Sequence, residues 1–519
     1  MNEPSFRSGA RTLLLAVALA ARCAGAPDLE GAPQEAGAET DPSSVVGPSS
    51  SGAAVPSAPA CDTTPILRKV AVSSASALSK AIAAALPGDE IRVANGVYSL
   101  TSAIPVQKRG NATNHIVIRA ATIGGAEITG SAGFNISGAA YVTVCGFRFT
   151  YATVPGTPGI GMTILSSNHV RFTRNYLHLA DSGLTHWLFI KNSGRGDNRI
   201  DHNTFDNKTS EGIFLVVGGP AGTLSQYNVI DHNYFYRQLF PPGDRGECLR
   251  VGTGDVQLLS AFARVESNRF EQCNGDGEVI SSKSSDNTYR WNTFLNNTGS
   301  LVLRAGHRAT VEGNFFLPGG NGIRLYGNDN RIINNYFEGT TGTGYLATIV
   351  LGSGDVVDAS AGYSGYDRPD RAVVAFNTLV NTATNIEIGT GGNAYGPADC
   401  LIANNLIQGD GHVVARELVA PTGFTWEGNL LWGTNAPGIM PASGYVSADP
   451  LLVQRPNDVF RIGAGSAAID AAVGALPFVT ADMDGDARSG ALDVGADEFS
   501  TAVPVRHPLS VSEVGPAAP

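Results

Sequence analysis

A recurring asparagine sets the terms for this chain. From Val170 onward a strand-like run ends in Asn, and an aromatic or aliphatic residue follows two positions later. The pattern falls at Asn175, Asn203, Asn233, Asn268, Asn292, Asn314, Asn335, Asn377, Asn405 and Asn429, with spacings of 28, 30, 35, 24, 22, 21, 42, 28 and 24 residues. A floor of 21–24 residues with irregular excess is one coil plus loops of varying length. That period predicts an all-β chain wound as a right-handed parallel β-helix. A β-propeller blade needs about 40–50 residues, so the unit is too short for one. The Asn has a physical role at the corner between strands. Its amide can bond the next Asn above and the local backbone, building a ladder. The residue two positions on then points inward and stacks on its neighbours.

A solenoid must close its ends. Ser73–Leu86 reads as an amphipathic helix, with Ser73 or Ser74 as N-cap and Pro87-Gly88 as its stop, and is the natural N-terminal cap. Asp449–Phe499 leaves the repeat and is expected to close the other end. The β-helix domain should therefore run over 61–500, followed by a frayed tail at 501–519. Residues 27–60 have almost no large apolar side chain and read as a disordered linker. Before them, Arg7 and Arg11 precede a nine-residue apolar run, Leu13–Ala21, which fits a secretory signal over 1–26. Cys23 offers a site for lipid anchoring, although Arg22 is a poor neighbour for it. No other segment is long and apolar enough to cross a bilayer. The cysteines show no zinc spacing, and Cys145 and Cys400, in apolar runs, are expected to be buried free thiols.

The formal net charge of −11 argues against nucleic acid as a partner. It permits an acidic polymer if the cations gather in one groove, and they do gather in sequence. Counting from the Asn of each coil, even offsets share a face. Asp276, Glu278, Arg304, Arg324 and Tyr326 are then expected to project outward from neighbouring coils, Glu278 in one column with Val302 and Arg324 and Ile280 in another with Arg304 and Tyr326, with Val279, Leu301, Leu303, Ile323 and Leu325 in the core. Lys283 has the wrong parity relative to Glu278, and joins them only if the chain turns a corner near Ser281-Ser282. Near the C-terminus, Asp482, Asp484 and Asp486 leave a calcium loop or a structural turn open, the turn being favoured because no helix flanks the run.

Several blocks bear a resemblance. GRGDNRIDHNTFDNKTSEGIFLVV (194–217), GECLRVG (246–252), GDGEVISSKSSDNTYRWNTF (275–294), LRAGHRATVEGNFF (303–316) and GIRLYGNDNRIINNYFEG (322–339) resemble polysaccharide lyase family 6, which holds alginate lyases and chondroitinase B-like enzymes. The resemblance implies Lys283 as general base and Arg304 as general acid. It implies Ca²⁺ held by Asp244, Asp276 and Glu278, where the family typically has one Asn and two Glu. Arg324, His307, Arg308, Tyr326 and Tyr366 follow as expected substrate contacts. The His that usually follows the catalytic Arg is replaced here by Ala305.

The chemistry explains the residue types. A uronate C5 proton is weakly acidic because its carboxylate is anionic, so a nearby cation must stabilise the developing charge. A lysine base must be neutral to accept that proton, which neighbouring cations favour. The expected substrate is alginate, a uronate polymer without sulfate, and the alternatives are dermatan or chondroitin sulfate. A non-catalytic carbohydrate-binding β-helix is a rival reading. A pectinase-type hydrolase is a poorer one, because it needs paired acids and this cluster sets acids beside Lys and Arg. The long insertion at 352–372 is expected to rise beside the groove, with Tyr363, Tyr366 or Arg368 touching sugar. A monomer is expected.

Overall fold

The computed structural model describes residues 61–519, apart from 153–158, 181–184, 242–244, 391, 410–411, 435 and 455–458. The expected signal segment, linker and Cys23 lie outside the described residues, as does Asp244.

Each coil contributes up to three short strands, and each strand pairs in parallel with its counterpart on the next coil. Among the described residues these form parallel sheets of 14, 13 and 14 strands, the parallel β-helix expected from the repeat. The 13-stranded sheet carries the candidate chemistry. Its inward column runs Leu249, Ile280, Leu301, Ile323 and Ile349, in register and buried. Burial of such columns from coil to coil is what holds a solenoid together.

The asparagine corner is as regular as the sequence implies. From Asn175 to Asn429 each side-chain Nδ2 donates to the Oδ1 of the next Asn at 2.9–3.1 Å. All ten side chains are buried, so the ladder satisfies polar groups that water cannot reach. Two residues on, Phe205, Phe235, Phe270, Phe294, Phe316 and Phe337 stack with centroids 4.5–5.0 Å apart.

The N-terminal cap is helix Ala75–Ala83, with Ser74 as N-cap accepting from Ala77 N, and it buries Leu78 and Ile82. It stops short of the expected Leu86. The C-terminal part departs from expectation. Residues 449–519 do not simply close the end; they also run back along the outside of the asparagine corner. Asn404 bonds Val473 through N–H and carbonyl, Asn334 donates to Ala481 O, and Ala496 N donates to Thr378 Oγ1. The expected frayed tail is packed as well. Arg506 lies 3.6 Å over the Trp291 ring, Leu509 N donates to Thr293 Oγ1, and Arg174 donates to the carbonyls of Pro516 and Ala518. The corner offers the Thr293 hydroxyl and the Arg174 guanidinium to the tail's backbone and the Trp291 indole to the Arg506 side chain.

Two further expectations are corrected or resolved. Cys145 is not a free thiol: it is disulfide-bonded to Cys61, and Cys248 to Cys273, while Cys400 is free and buried. Apolar surroundings suit a disulfide as well as a thiol, and the pairing joins residues 84 apart in sequence. In the C-terminal acidic run Asp482, Asp484 and Asp497 do lie close together. Arg461 donates to both Asp484 oxygens at 2.7 and 2.6 Å, and Asp482 accepts the N–H groups of Asp484, Asp486 and Glu498. A guanidinium and backbone donors thus reach Asp484 and Asp482 in a turn, while burial and then Asp484 push the Asp497 carboxyl up to about 7.

Candidate active site

The site lies where the 13-stranded sheet loses its regularity. Strand Glu278–Lys283 pairs with Ser300–Ala305, but its register shifts twice. Glu278 faces Ser300 and Ile280 faces Leu301, so Val279 is an extra residue. Ser282 faces Leu303 and Lys283 faces Ala305, so Arg304 is an extra residue on the partner strand. Such bulges bend a strand and re-aim side chains.

The first bulge settles the parity of Lys283. It lies five positions after Glu278, an odd offset, and the extra Val279 restores both to the outward face. No corner intervenes at Ser281-Ser282; the strand runs through them. The expected columns shift accordingly. Glu278 stands beside Ser300 rather than Val302, and Ile280 faces the core rather than joining Arg304 and Tyr326. The outward column holding Arg324 is instead Arg250, Ser281, Val302 and Arg324.

Arg250 and Glu247 were not singled out in the sequence, although both lie in the GECLRVG block. Arg250 shares strand parity with Arg324, the signal that finds it. It donates through Nε to Glu247 Oε1 at 2.9 Å. The other Glu247 oxygen is buried with no hydrogen-bond partner among the described residues. Asp276 accepts from Arg245 N at 2.8 Å and Gly246 N at 3.3 Å. Gly299 lets the next coil pass beneath this acid turn, since a Cβ there would come 2.7 Å from Asp276 O. Burial, then Glu247 and Glu278, push the Asp276 carboxyl up to about 7. An orphaned buried oxygen and an acid crowded by acids fit oxygen ligation of a hard cation. Asp276, Glu278 and Glu247 are the described carboxylates this face offers to one; the acids whose oxygens already converge among the described residues are Asp482, Asp484 and Asp497, elsewhere.

Lys283 is the complementary group. Burial lowers its pKa, Arg250 and Arg304 lower it further, and Glu278 and Glu247 oppose them. Among the described residues its ammonium has no hydrogen-bond or ion-pair partner, so nothing fixes its proton.

Asp276 and Glu278 line a cleft of about 870 Å³ together with Arg324, Tyr326, Tyr345 and Tyr366, among others, while Lys283, Arg304, Arg250 and Glu247 lie outside its lining. Arg324 donates to Glu278 Oε1 at 3.2 Å and to Tyr345 O at 3.1 Å. Arg304 stands behind Tyr366, its Cζ 3.6 Å from the ring centroid. The insertion at 352–372 thus does rise beside the groove, and Tyr366 is the member that reaches it. Arg368 is tied to Asp370 at 2.7 and 2.9 Å, and Tyr363 gives its carbonyl to Gln257.

Two expected contacts point elsewhere. His307 is 12% exposed, accepts from Asn328 N at 2.9 Å through Nδ1, and turns Nε2 toward Asp367 at 3.7 Å. Arg308 is paired in bidentate fashion with Asp286 at 2.7 Å. Neither lines the cleft. Both follow Gly306, in the turn that leaves the strand, so their side chains leave the face that bears Arg304.

Comparisons with known proteins bear on the family and the fold. The family model described as Chondroitinase B matches residues 72–433. The solved structure of the PL6 family alginate lyase AlyGC is 28% identical with a TM-score of 0.67 over 76% of this chain. The chain spans only 55% of the length of that protein. A mannuronic acid specific family 6 lyase from human gut microbiota is 24% identical, with a TM-score of 0.64 over 74% of this chain and 91% of its own. The PL6 family polysaccharide lyase Pedsa3628 from Pseudopedobacter saltans is 20% identical, with a TM-score of 0.59 over 86% and 98%. The latter two likenesses speak to the fold. No curated protein matches the chain at a significant level.

Proposed function

The chain belongs to the chondroitinase B family, and we propose that it is a polysaccharide lyase that cleaves a uronate polymer, alginate first, by β-elimination. The observation that carries this reading is the pair of bulges that turns Lys283 outward beside Arg304, on the face that bears Asp276 and Glu278.

In this reading neutral Lys283 takes the C5 proton, and its lowered pKa makes the neutral form accessible. The electron pair forms the C4–C5 double bond as the C4–O bond breaks. Arg304 faces the departing oxygen and stabilises its charge; a guanidinium gives up its proton reluctantly, so shielding is as important as donation. Arg324 and Tyr326 on the next coil hold the adjoining sugar. Asp276 and Glu278, with Glu247 behind them and Asp244 from the family pattern, would hold Ca²⁺, which when bound supplies positive charge at the substrate carboxylate. Chelation with EDTA is expected to lower the rate and added Ca²⁺ to restore it. Full activity in chelator would leave these acids as partners of Arg250 and Arg324 only.

Alginate is favoured because, among the described residues, the arginines beside Lys283 and Arg304 are already committed, Arg250 to Glu247 and Arg324 to Glu278, and so are not spare for sulfate. The family's name supports dermatan or chondroitin sulfate as the second reading. The two disulfides support export to an oxidising compartment, as the signal-like N-terminus does, with Cys23 available for lipid anchoring. The test is ultraviolet absorbance on mixing the protein with polymannuronate, polyguluronate and dermatan sulfate. An unsaturated product on either alginate block supports the reading. Product from dermatan sulfate alone replaces the substrate, and no product from any of the three overturns the activity.

A further inference from the structure

The three arginines of the site are held in different ways. Arg250 is paired with Glu247, and Arg324 with Glu278. Arg304 has no carboxylate partner among the described residues. Its one hydrogen bond there runs from Nη1 to Gly365 O, at 3.4 Å. It is the extra residue of a bulge, and the next side chain, Ala305, is a methyl group that gives no lateral support. What lies against the guanidinium is the ring of Tyr366, 3.6 Å from Cζ.

We infer that Tyr366 is a positioning residue: its ring, which lines the cleft, fixes the guanidinium of Arg304 behind it without neutralising it. A carboxylate in that place would hold Arg304 too, but it would cancel the charge and repel an anionic polymer. An aromatic face attracts a cation while leaving its in-plane N–H groups free. The phenol O–H of Tyr366 has no hydrogen-bond partner among the described residues, so the ring carries the role.

The insertion is built to hold that ring still. Tyr366 N donates to Asp355 Oδ1 at 2.8 Å, and the ring packs on Tyr326 at 4.6 Å. On one side Gln257 donates to Tyr363 O, and Gly254 lies so close to Ser364 that a Cβ would come within 2.9 Å of it. On the other, Gly327 N donates to Asp367 O at 3.0 Å, with His307 turned toward the Asp367 side chain. One loop therefore ties the coil of Arg250 to the coil of Tyr326, across the coils of Lys283 and Arg304. His307 faces this loop, its Nε2 3.7 Å from the Asp367 carboxylate and beyond hydrogen-bond distance.

The inference rests on the lyase reading, and steady-state kinetics on the preferred polymer separate the two. Tyr366→Ala is expected to lower kcat by about 10- to 100-fold, the scale of a misplaced catalytic group, with KM changed less. Tyr366→Phe should restore most of the rate, because phenylalanine keeps the ring face. Tyr366→Leu, which keeps apolar bulk without that face, should behave like the alanine variant and serves if Tyr366→Ala unfolds. On an Arg304→Ala background, Tyr366→Ala should cost little more. A loss confined to KM would overturn the role, as would a Phe variant as slow as Ala, or full additivity with Arg304→Ala. Lys283→Ala run alongside tells the two readings apart. If it keeps the wild-type rate the lyase reading falls and takes this role with it. If it is inactive while Tyr366→Ala is fully active, only the role of Tyr366 falls.

Discussion

Along the asparagine corner ten coils repeat one arrangement, whereas the strand ends that carry Lys283 and Arg304 repeat nothing. The corner has one residue type, bond lengths within 2.9–3.1 Å and one burial state from Asn175 to Asn429. A few residues away on the same coils the register slips twice, side chains of both signs crowd together, and a loop from a later coil crosses over them. Stability in a solenoid comes from identical neighbours. Catalysis needs different groups converging on one point, and that requires breaking the repeat.

Substitutions can break this comparison from either side. The largest effect on stability is expected at the corner. Asn292→Ala removes the acceptor of Asn268 N and Nδ2 and the donor to Val265 O and Asn314 Oδ1. Buried groups left unpaired cost about 1–3 kcal/mol each, so denaturant unfolding should show a loss of about 3 kcal/mol or more. The kcat of the folded protein should stay within about twofold, the corner making no contact with the reacting groups. A collapse of kcat with stability intact would mean that the corner is not merely scaffold.

A smaller effect is expected at Arg250, on the irregular side. The rate should rise with pH as Lys283 loses its proton. Burial and then Arg250 hold that pKa below the ordinary lysine value, while Glu278 and Glu247 push it up. Arg250→Ala removes a lowering charge and frees Glu247, so the midpoint of the pH–rate profile should move upward. A midpoint that stays put or falls would show that Arg250 does not tune the base.

The same contrast explains what the sequence made legible. The corner was readable because its Asn recurs at a near-constant interval and its neighbours alternate cleanly. The capping helix was readable from Ser74 and the spacing of Leu78 and Ile82. The site was readable only in its membership. Asp276, Glu278, Lys283, Arg304, Arg324 and Tyr326 were all named from the sequence and stand on neighbouring coils, but strict alternation put Lys283 on the wrong face and Ile280 on the outside. A bulge is one inserted residue, and Val279 looks like any other core valine. Glu247 escaped notice because its role depends on which coil lies beside it. His307 and Arg308 stand close to Arg304 in sequence, yet the turn at Gly306 carries them away from the cleft. The return of 449–519 along the corner, and the Cys61–Cys145 bond, join segments whose meeting no local pattern announces.

The central claim is that the irregular face exists for proton abstraction by Lys283, and the most direct measurement is the rate of unsaturated-product formation by Lys283→Ala beside its thermal unfolding. The account predicts a rate lower by about 10²-fold or more, the usual worth of a general base, with a melting temperature unchanged from wild type. A variant that keeps most of the wild-type rate would contradict it.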